Sequence, residues 1–229
     1  MTAKRDFYRR PEIAAAYEEQ RFGGASGAYV DAREWRLARS LLPRTCLVAG
    51  IGCGTGRLLP RLRRRAERVI GIDASLPMLA VARAHGADDS LLAQGDAFRL
   101  PLATSSCDAV VSLRFLFHFA DLALLLGELR RITRPGGRLV CDTATWSPRS
   151  LVSLDRRRWG DRVATIAPER FRALASATGW RVRAERSAFL VSPYLYRRLP
   201  LPAARALEAV EHVLPAAARC RVFWALEAV

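Results

Sequence analysis

Residues 47–56 read LVAGIGCGTG, a strand-like apolar start that breaks into glycines at Gly50, Gly52, Gly54 and Gly56. Alternate glycines let a backbone turn sharply and let a ligand approach with no Cβ in the way. Where a helix opens at the last of them, free N–H groups point at whatever binds. The dinucleotide fingerprint GxGxxG fails in every register. Counted from Gly50 its third glycine falls at Thr55, and counted from Gly52 it falls at Arg57. The loop is built for close approach, but not for a pyrophosphate.

Working outward, strand and helix signals alternate. Residues 46–49 and 68–72 read as strands, with a helix expected over residues 57–67 between them. A helix follows near residues 75–85, then a short strand ending near Gln94, a buried-strand run at residues 108–113, and a helix over residues 121–133. Arg134, Pro135, Gly136 and Gly137 should stop that helix. A strand at residues 138–142 follows. This rhythm, with near-continuous apolar strands, predicts an α/β fold: a doubly wound, mostly parallel sheet with helices on both faces. Before it, residues 10–20 and 31–42 read as helices joined by a glycine-rich hinge, RFGGASGAY. After it, residues 144–167 are irregular and basic. Helices are expected over residues 168–178 and 202–214, and strands over residues 180–191 in part and 220–226.

Composition narrows the function classes. The chain has 229 residues and five scattered cysteines without a CxxC spacing. That argues against a disulfide framework or a zinc site and for a reducing compartment. The first twenty residues are charged, without the apolar core of a signal peptide, and no uninterrupted apolar run reaches membrane-spanning length. A cytoplasmic protein with no membrane span is expected. The formal charge is +15, yet Lys4 is the only lysine and the arginines run along the whole chain. Clusters at Arg61, Arg63, Arg64, Arg65 and Arg68 and at Arg156, Arg157 and Arg158 lack the interleaved aromatics of a single-strand binding surface. The charge is read as an arginine bias, and nucleic acid is not the expected partner.

Five stretches, in order, carry a resemblance. They are VAGIGCGTG (residues 48–56), IGIDASLPM (70–78), GDA (95–97), DAVVS with FHF (108–112 and 117–119) and RPGG (134–137). Together they resemble the class I S-adenosylmethionine-dependent methyltransferases, in the small-molecule branch of ubiquinone and menaquinone methylases, over about residues 8–145. The resemblance implies a seven-stranded Rossmann-like sheet in a single domain. An N-terminal helical lid would span residues 1–43, a cofactor core 44–145, and a substrate cap with the rest of the sheet 146–229. It implies S-adenosyl-L-methionine as cofactor, with Gly52, Cys53, Gly54 and Gly56 against its methionine and ribose portions. Asp73 would accept from the ribose hydroxyls, Ala74 and Met78 would line the adenine, and Asp96 and Ala97 would meet its ring. Ser112, Leu113 and Arg114 would complete the site, and Tyr17 and Arg21 would close it from the lid, Arg21 on the cofactor carboxylate. Plainer readings stand beside these: a helix N-cap for Asp73, core packing for Met78, a loop turn for Asp96, a solvated charge for Arg21. Gly50 departs from the family, which commonly has an acidic residue there, supporting the methionyl ammonium.

The implied reaction moves a methyl group to an O, N or C nucleophile of a small molecule, aromatic or natural-product-like, as in secondary metabolism. His118 is the candidate base, because an imidazole titrates near neutral pH. It also sits in an aromatic run where packing would explain it. Phe115, His118, Trp146 and Tyr194 are the candidate substrate contacts, and no metal cluster is seen. Other readings remain: an RNA or protein methyltransferase on the same fold, or a protein that binds the cofactor without transferring methyl. A monomer or a homodimer is compatible with the sequence.

Overall fold

The computed structural model describes residues 6–87, 91–147, 150 and 163–229. Arg156, Arg157, Arg158 and Trp159 lie outside them. Seven strands form one sheet: β1 Thr45–Ile51, β2 Ala66–Asp73, β3 Leu92–Gln94, β4 Cys107–Ser112, β5 Thr133–Ala144, β6 Trp180–Ala188 and β7 Arg221–Ala228. Their order is β3-β2-β1-β4-β5-β7-β6, and only β7 runs against its neighbours. β1 lies between β2 and β4, with Gly50 opposite Gly71 on one side and Val111 on the other. The order reverses at β1, and a crevice opens beyond strand ends at such a point.

Strands buried on both faces read as apolar runs because each side chain meets a helix layer. On one face Val48, Val69, Val111, Val140 and Phe223 pack against the helix residues Val30, Leu41, Leu59, Leu62 and Leu79. On the other, Ala49, Ile72, Val110, Leu139 and Trp224 meet Leu125, Leu126, Leu129 and Phe171. The helices are α1 Pro11–Phe22, α2 Gly24–Leu41, α3 Leu59–Leu62, α4 Leu76–Ala84, α5 Ala123–Ile132, α6 Pro168–Ala177, α7 Pro193–Tyr196 and α8 Leu201–Glu211. α4 starts where expected, since the Ser75 hydroxyl accepts from the Met78 N–H at 3.2 Å and Pro77 lies in the first turn.

Three expectations need correction. The hinge over RFGGASGAY shrinks to Gly23, because α2 begins at Gly24. Gly27 is needed for contact rather than bending: a Cβ there would lie 2.3 Å from the Phe22 backbone, so α1 and α2 meet backbone to backbone. The helix expected over residues 57–67 survives only as Leu59–Leu62. The Arg65 carbonyl accepts from the Thr45 N–H at 3.1 Å and its guanidinium donates to the Leu42 carbonyl at 2.7 Å, drawing the chain out of helix toward β2. The RPGG stretch does not simply separate α5 from a later strand. Thr133 already pairs with Cys107, and the register then jumps to Arg138 opposite Ala109, with the prolyl-glycyl segment as the bulge between.

Candidate functional site

A cavity of about 1140 Å³ opens over the carboxyl ends of β1, β2 and β4. Ordinary small-molecule sites span about 300–1,000 Å³, so this one has room for two ligands side by side. Its floor is the glycine loop. The N–H groups of Gly52 and Cys53 both donate to the Ile72 carbonyl, at 2.8 and 3.1 Å, which locks the loop to the end of β2. Gly54 has φ +55°, and beyond its Cα no atom lies within 4 Å, so its bare face is open to a ligand. Gly56 serves differently: a Cβ there would sit 2.8 Å from that of Ala82, so its smallness lets α4 approach.

Asp73 joins loop and strand. One carboxylate oxygen accepts from the Gly54 N–H at 2.8 Å and the other from the Ser75 N–H at 2.9 Å. Burial raises its pKa above the ordinary carboxylate value, and those backbone donors only partly oppose the rise. Beside it, burial and the charge of Asp73 push the Cys53 thiol far up, so Cys53 is an uncharged wall and no nucleophile. Farther along, Asp96 accepts from the Phe98 N–H at 3.0 Å and bounds the same end of the cavity with Ala97.

The N-terminal segment crosses this rim. The Ser75 hydroxyl donates to the Tyr8 carbonyl at 2.6 Å, and the Thr55 hydroxyl donates to the Glu18 carboxylate on α1. The Tyr8 ring lies 5.5 Å from that of His118 and 6.2 Å from that of Tyr17, centre to centre. His118 stands in a short helical turn, Leu116–His118, with the Phe117 ring at 4.9 Å and the Phe115 ring at 6.4 Å. Phe98, Phe115 and Phe119 stack edge to face at 5.0 to 5.2 Å and form the apolar wall.

Behind the opposite wall lies a buried charge network. Glu34 on α2, fully buried, bonds Arg114 at 2.9 Å and pairs with Arg221 and Arg57. Asp142 on β5 accepts from the Arg114 N–H at 2.6 Å and pairs with Arg221, holding Arg114 at φ +58°. Burial alone would raise the Glu34 carboxyl pKa, but Arg114 and Arg221 reverse it and hold it below the ordinary value. Arg33 on α2 and Tyr196 both bond Glu211, at 3.0 and 2.6 Å, tying α2 to α8.

Of the residues singled out from sequence, Tyr17, Gly50, Gly52, Cys53, Gly54, Asp73, Ala74, Met78, Asp96, Ala97, Leu113, Arg114, Phe115 and His118 line the cavity. Gly56, Arg21, Ser112, Trp146 and Tyr194 do not. The Ser112 hydroxyl turns into the sheet and donates to the Ile51 carbonyl at 3.0 Å. Arg21 is buried behind the wall, 4.7 Å from the Tyr194 ring centre and 5.7 Å from that of Tyr17. It is not the solvated charge of the plainer reading. Trp146 is half exposed on the surface. Arg57, Phe98 and Phe119 line the cavity without having been assigned to it. Arg57 had been placed on a helix, and Phe98 directly follows the GDA stretch that could have pointed to it. Among the described residues no group of three or more His, Cys, Asp or Glu side chains is placed to hold a metal, and no helix is long and apolar enough to cross a membrane.

A glycine loop bonded to an acidic strand end, at the switch point of a 3-2-1-4-5-7-6 sheet, defines a class I methyltransferase architecture. Residues 49–141 match the sequence family described as a methyltransferase domain. The chain is 33% identical over 183 residues to demethylmenaquinone methyltransferase of Thermus thermophilus, covering 68% of this chain and 83% of that protein. It is 33% identical over 144 residues to malonyl-[acyl-carrier protein] O-methyltransferase of Xylella fastidiosa, covering 59% of this chain but 48% of that one. The fold matches geranyl diphosphate C-methyltransferase of Streptomyces coelicolor, solved with Mg2+, geranyl diphosphate and S-adenosyl-L-homocysteine. That match has a TM-score of 0.66 at 16% identity, covering 88% of this chain and 82% of that one. The chain belongs to the class I S-adenosylmethionine-dependent methyltransferases. It is an enzyme of that class, and its cofactor is S-adenosyl-L-methionine.

Proposed function

We propose that the cavity seats the cofactor over the glycine loop and a small apolar acceptor against the phenylalanine wall. The open face of Gly54 beside the buried Asp73 carboxylate fits an adenosyl ligand, because a diol can donate to an acid whose remaining lone pairs face the cavity. Asp73 takes the ribose; Ala74, Met78, Asp96 and Ala97 flank the adenine; Gly50, Gly52, Tyr17, Leu113 and Arg114 surround the amino-acid end. S-Adenosylmethionine, when bound, supplies a sulfonium methyl group for in-line displacement.

The chain's own contribution is orientation, dryness and proton removal. Phe98, Phe115 and Phe119 would hold a flat or isoprenoid-like acceptor, and His118 among them would take the proton from its hydroxyl or amine. Within the lid expected over residues 1–43, the segment through Tyr8 and α1 excludes water, and within residues 146–229 β6 and β7 complete the sheet. The observation that carries this reading is the aromatic wall with His118 set in it, facing the glycine loop. A quinone-like or natural-product acceptor fits such a wall, in keeping with the quinone and geranyl diphosphate enzymes among its relatives. Five free thiols suit a reducing cytoplasm, as a monomer or homodimer in secondary metabolism. Incubation with methyl-labelled cofactor and a host small-molecule extract tests it. Label is expected in an apolar small molecule; label confined to RNA or protein would overturn the reading.

A further inference from the structure

His118 stands on a turn whose backbone is pinned. Its own N–H donates to the Phe115 carbonyl at 3.0 Å, and the Phe117 carbonyl accepts from the Ala164 N–H at 2.8 Å. The Ile166 N–H in turn donates to the Ala144 carbonyl at 2.9 Å, so the chain around Ala164 bridges the turn and the end of β5. Val163 packs with Phe117 and Ala144 in the same cluster. These bonds fix the backbone of the turn. The imidazole beyond it borders a cavity of about 1140 Å³ and has room to rotate.

Aromatic rings limit that rotation. Phe117 and Phe115, at 4.9 and 6.4 Å, belong to the same stretch of chain as His118 and move with it. The Tyr8 ring comes from the lid, 5.5 Å away and inclined at 66° to the imidazole. Tyr8 is itself firmly placed. Ser75 donates to its carbonyl at 2.6 Å, the buried Phe7 ring meets its ring edge to face at 5.1 Å, and the Tyr17 ring of α1 lies 6.2 Å away. Edge-to-face contacts of this kind are directional, so a ring held at its base constrains the ring it meets.

We infer that Tyr8 is a positioning residue for proton removal: its ring holds the His118 imidazole, so the base is aligned only while the lid is seated on Ser75. The inference rests on the reading of His118 as the base proposed above. The step it serves is proton transfer alone. The acceptor O–H or N–H bond breaks, and the proton joins an imidazole nitrogen. Tyr8 takes no part in that exchange and acts through His118. Lifting the segment before α1 would admit water and release the imidazole together, so one closure supplies both dryness and alignment.

A double-mutant cycle on the intact chain tests this, read as the initial rate of label transfer from saturating methyl-labelled S-adenosylmethionine to a host small-molecule extract. Tyr8→Leu, checked for folding by thermal melt, should transfer label about tenfold to a hundredfold more slowly, the scale of loss for a misaligned group. Its S-adenosylhomocysteine affinity by calorimetry should stay within about threefold of wild type, less than one bond to a charged group is worth. Tyr8→Phe, which keeps the ring, should recover most of the rate. Added to His118→Gln, Tyr8→Leu should lower the rate no further, because residues that act as one unit are not additive. An equal loss in both backgrounds would overturn the inference and leave His118 as the base. A wild-type rate in His118→Gln would remove the base and the inference together. A fall in S-adenosylhomocysteine affinity that matches the fall in rate would also overturn it and make Tyr8 a cofactor contact. One further measurement needs no variant: a nuclear Overhauser contact between the Tyr8 and His118 ring protons is expected in the wild-type chain with S-adenosylhomocysteine bound, and its absence would contradict the account.

Discussion

The Asp73 carboxylate, at the end of β2, accepts the Gly54 N–H at 2.8 Å, so the acid of the second strand and the glycine loop of the first form one rigid unit. A second bond from Ser75 extends that unit to the start of α4, and Ser75 in turn holds the Tyr8 carbonyl. Floor, acid and lid are thus coupled through two side chains.

Cofactor affinity should depend on the charge of Asp73. Its pKa in the free protein is raised by burial, and a ligand diol favours the ionised form. Affinity is therefore full above the raised pKa and falls as pH drops through it, at a midpoint above the usual carboxylate value of about 3.9. Titrations with S-adenosylhomocysteine across acid pH should show that loss. In Asp73→Asn the same segment of the curve should be flat.

His118 is expected to serve the reaction and not the cofactor. His118→Gln should lower kcat by about a hundredfold to ten-thousandfold, the usual span for a general base. S-Adenosylhomocysteine affinity should not change. A kcat close to wild type would reduce His118 to a packing residue.

Glu34 is buried with three arginines on it, and removing one partner strands the others. Glu34→Gln should lose about 3–5 kcal/mol of stability, as measured by denaturant unfolding. Because the folded pKa of Glu34 is depressed, its contribution is present above the unfolded carboxylate pKa and is lost as pH falls through the folded one. The stability gap between variant and wild type should therefore narrow toward acid pH.

Ser75 caps α4 and tethers the lid. Ser75→Ala should cost about 0.5–2 kcal/mol, as cap losses do. It should also speed release of bound S-adenosylhomocysteine in stopped-flow measurements, since the Tyr8 carbonyl loses its donor. Unchanged release with the stability loss present would mean that the tether does not hold the lid.

The parallel core was legible because strands covered on both faces must be apolar runs, and the turn residues between them punctuate clearly. The alternating glycines and the acid at Asp73 marked the strand ends where the cavity opens. Tertiary contacts hid the rest. Gly23, Gly24 and Gly27 read as a hinge, although Gly27 serves the close crossing of α1 and α2. Arg57 read as the start of a helix that the Arg65 contacts cut short. Glu34 sits in DAREWRLARS, which reads as a solvated helix face, and only the fold brings Arg114 and Arg221 onto it. Trp146 and Tyr194 looked like substrate contacts by residue type alone, but one faces outward and the other backs the wall.

The most direct test of the central claim is a calorimetric titration of S-adenosylhomocysteine into the wild-type chain and into Asp73→Asn at neutral pH. Saturable one-site binding by the wild type is predicted, with affinity about tenfold to a hundredfold weaker in the variant, the worth of bonds to a charged acceptor. No binding by the wild type, or equal affinity in the two proteins, would contradict the placement of the cofactor on Asp73 and the glycine loop.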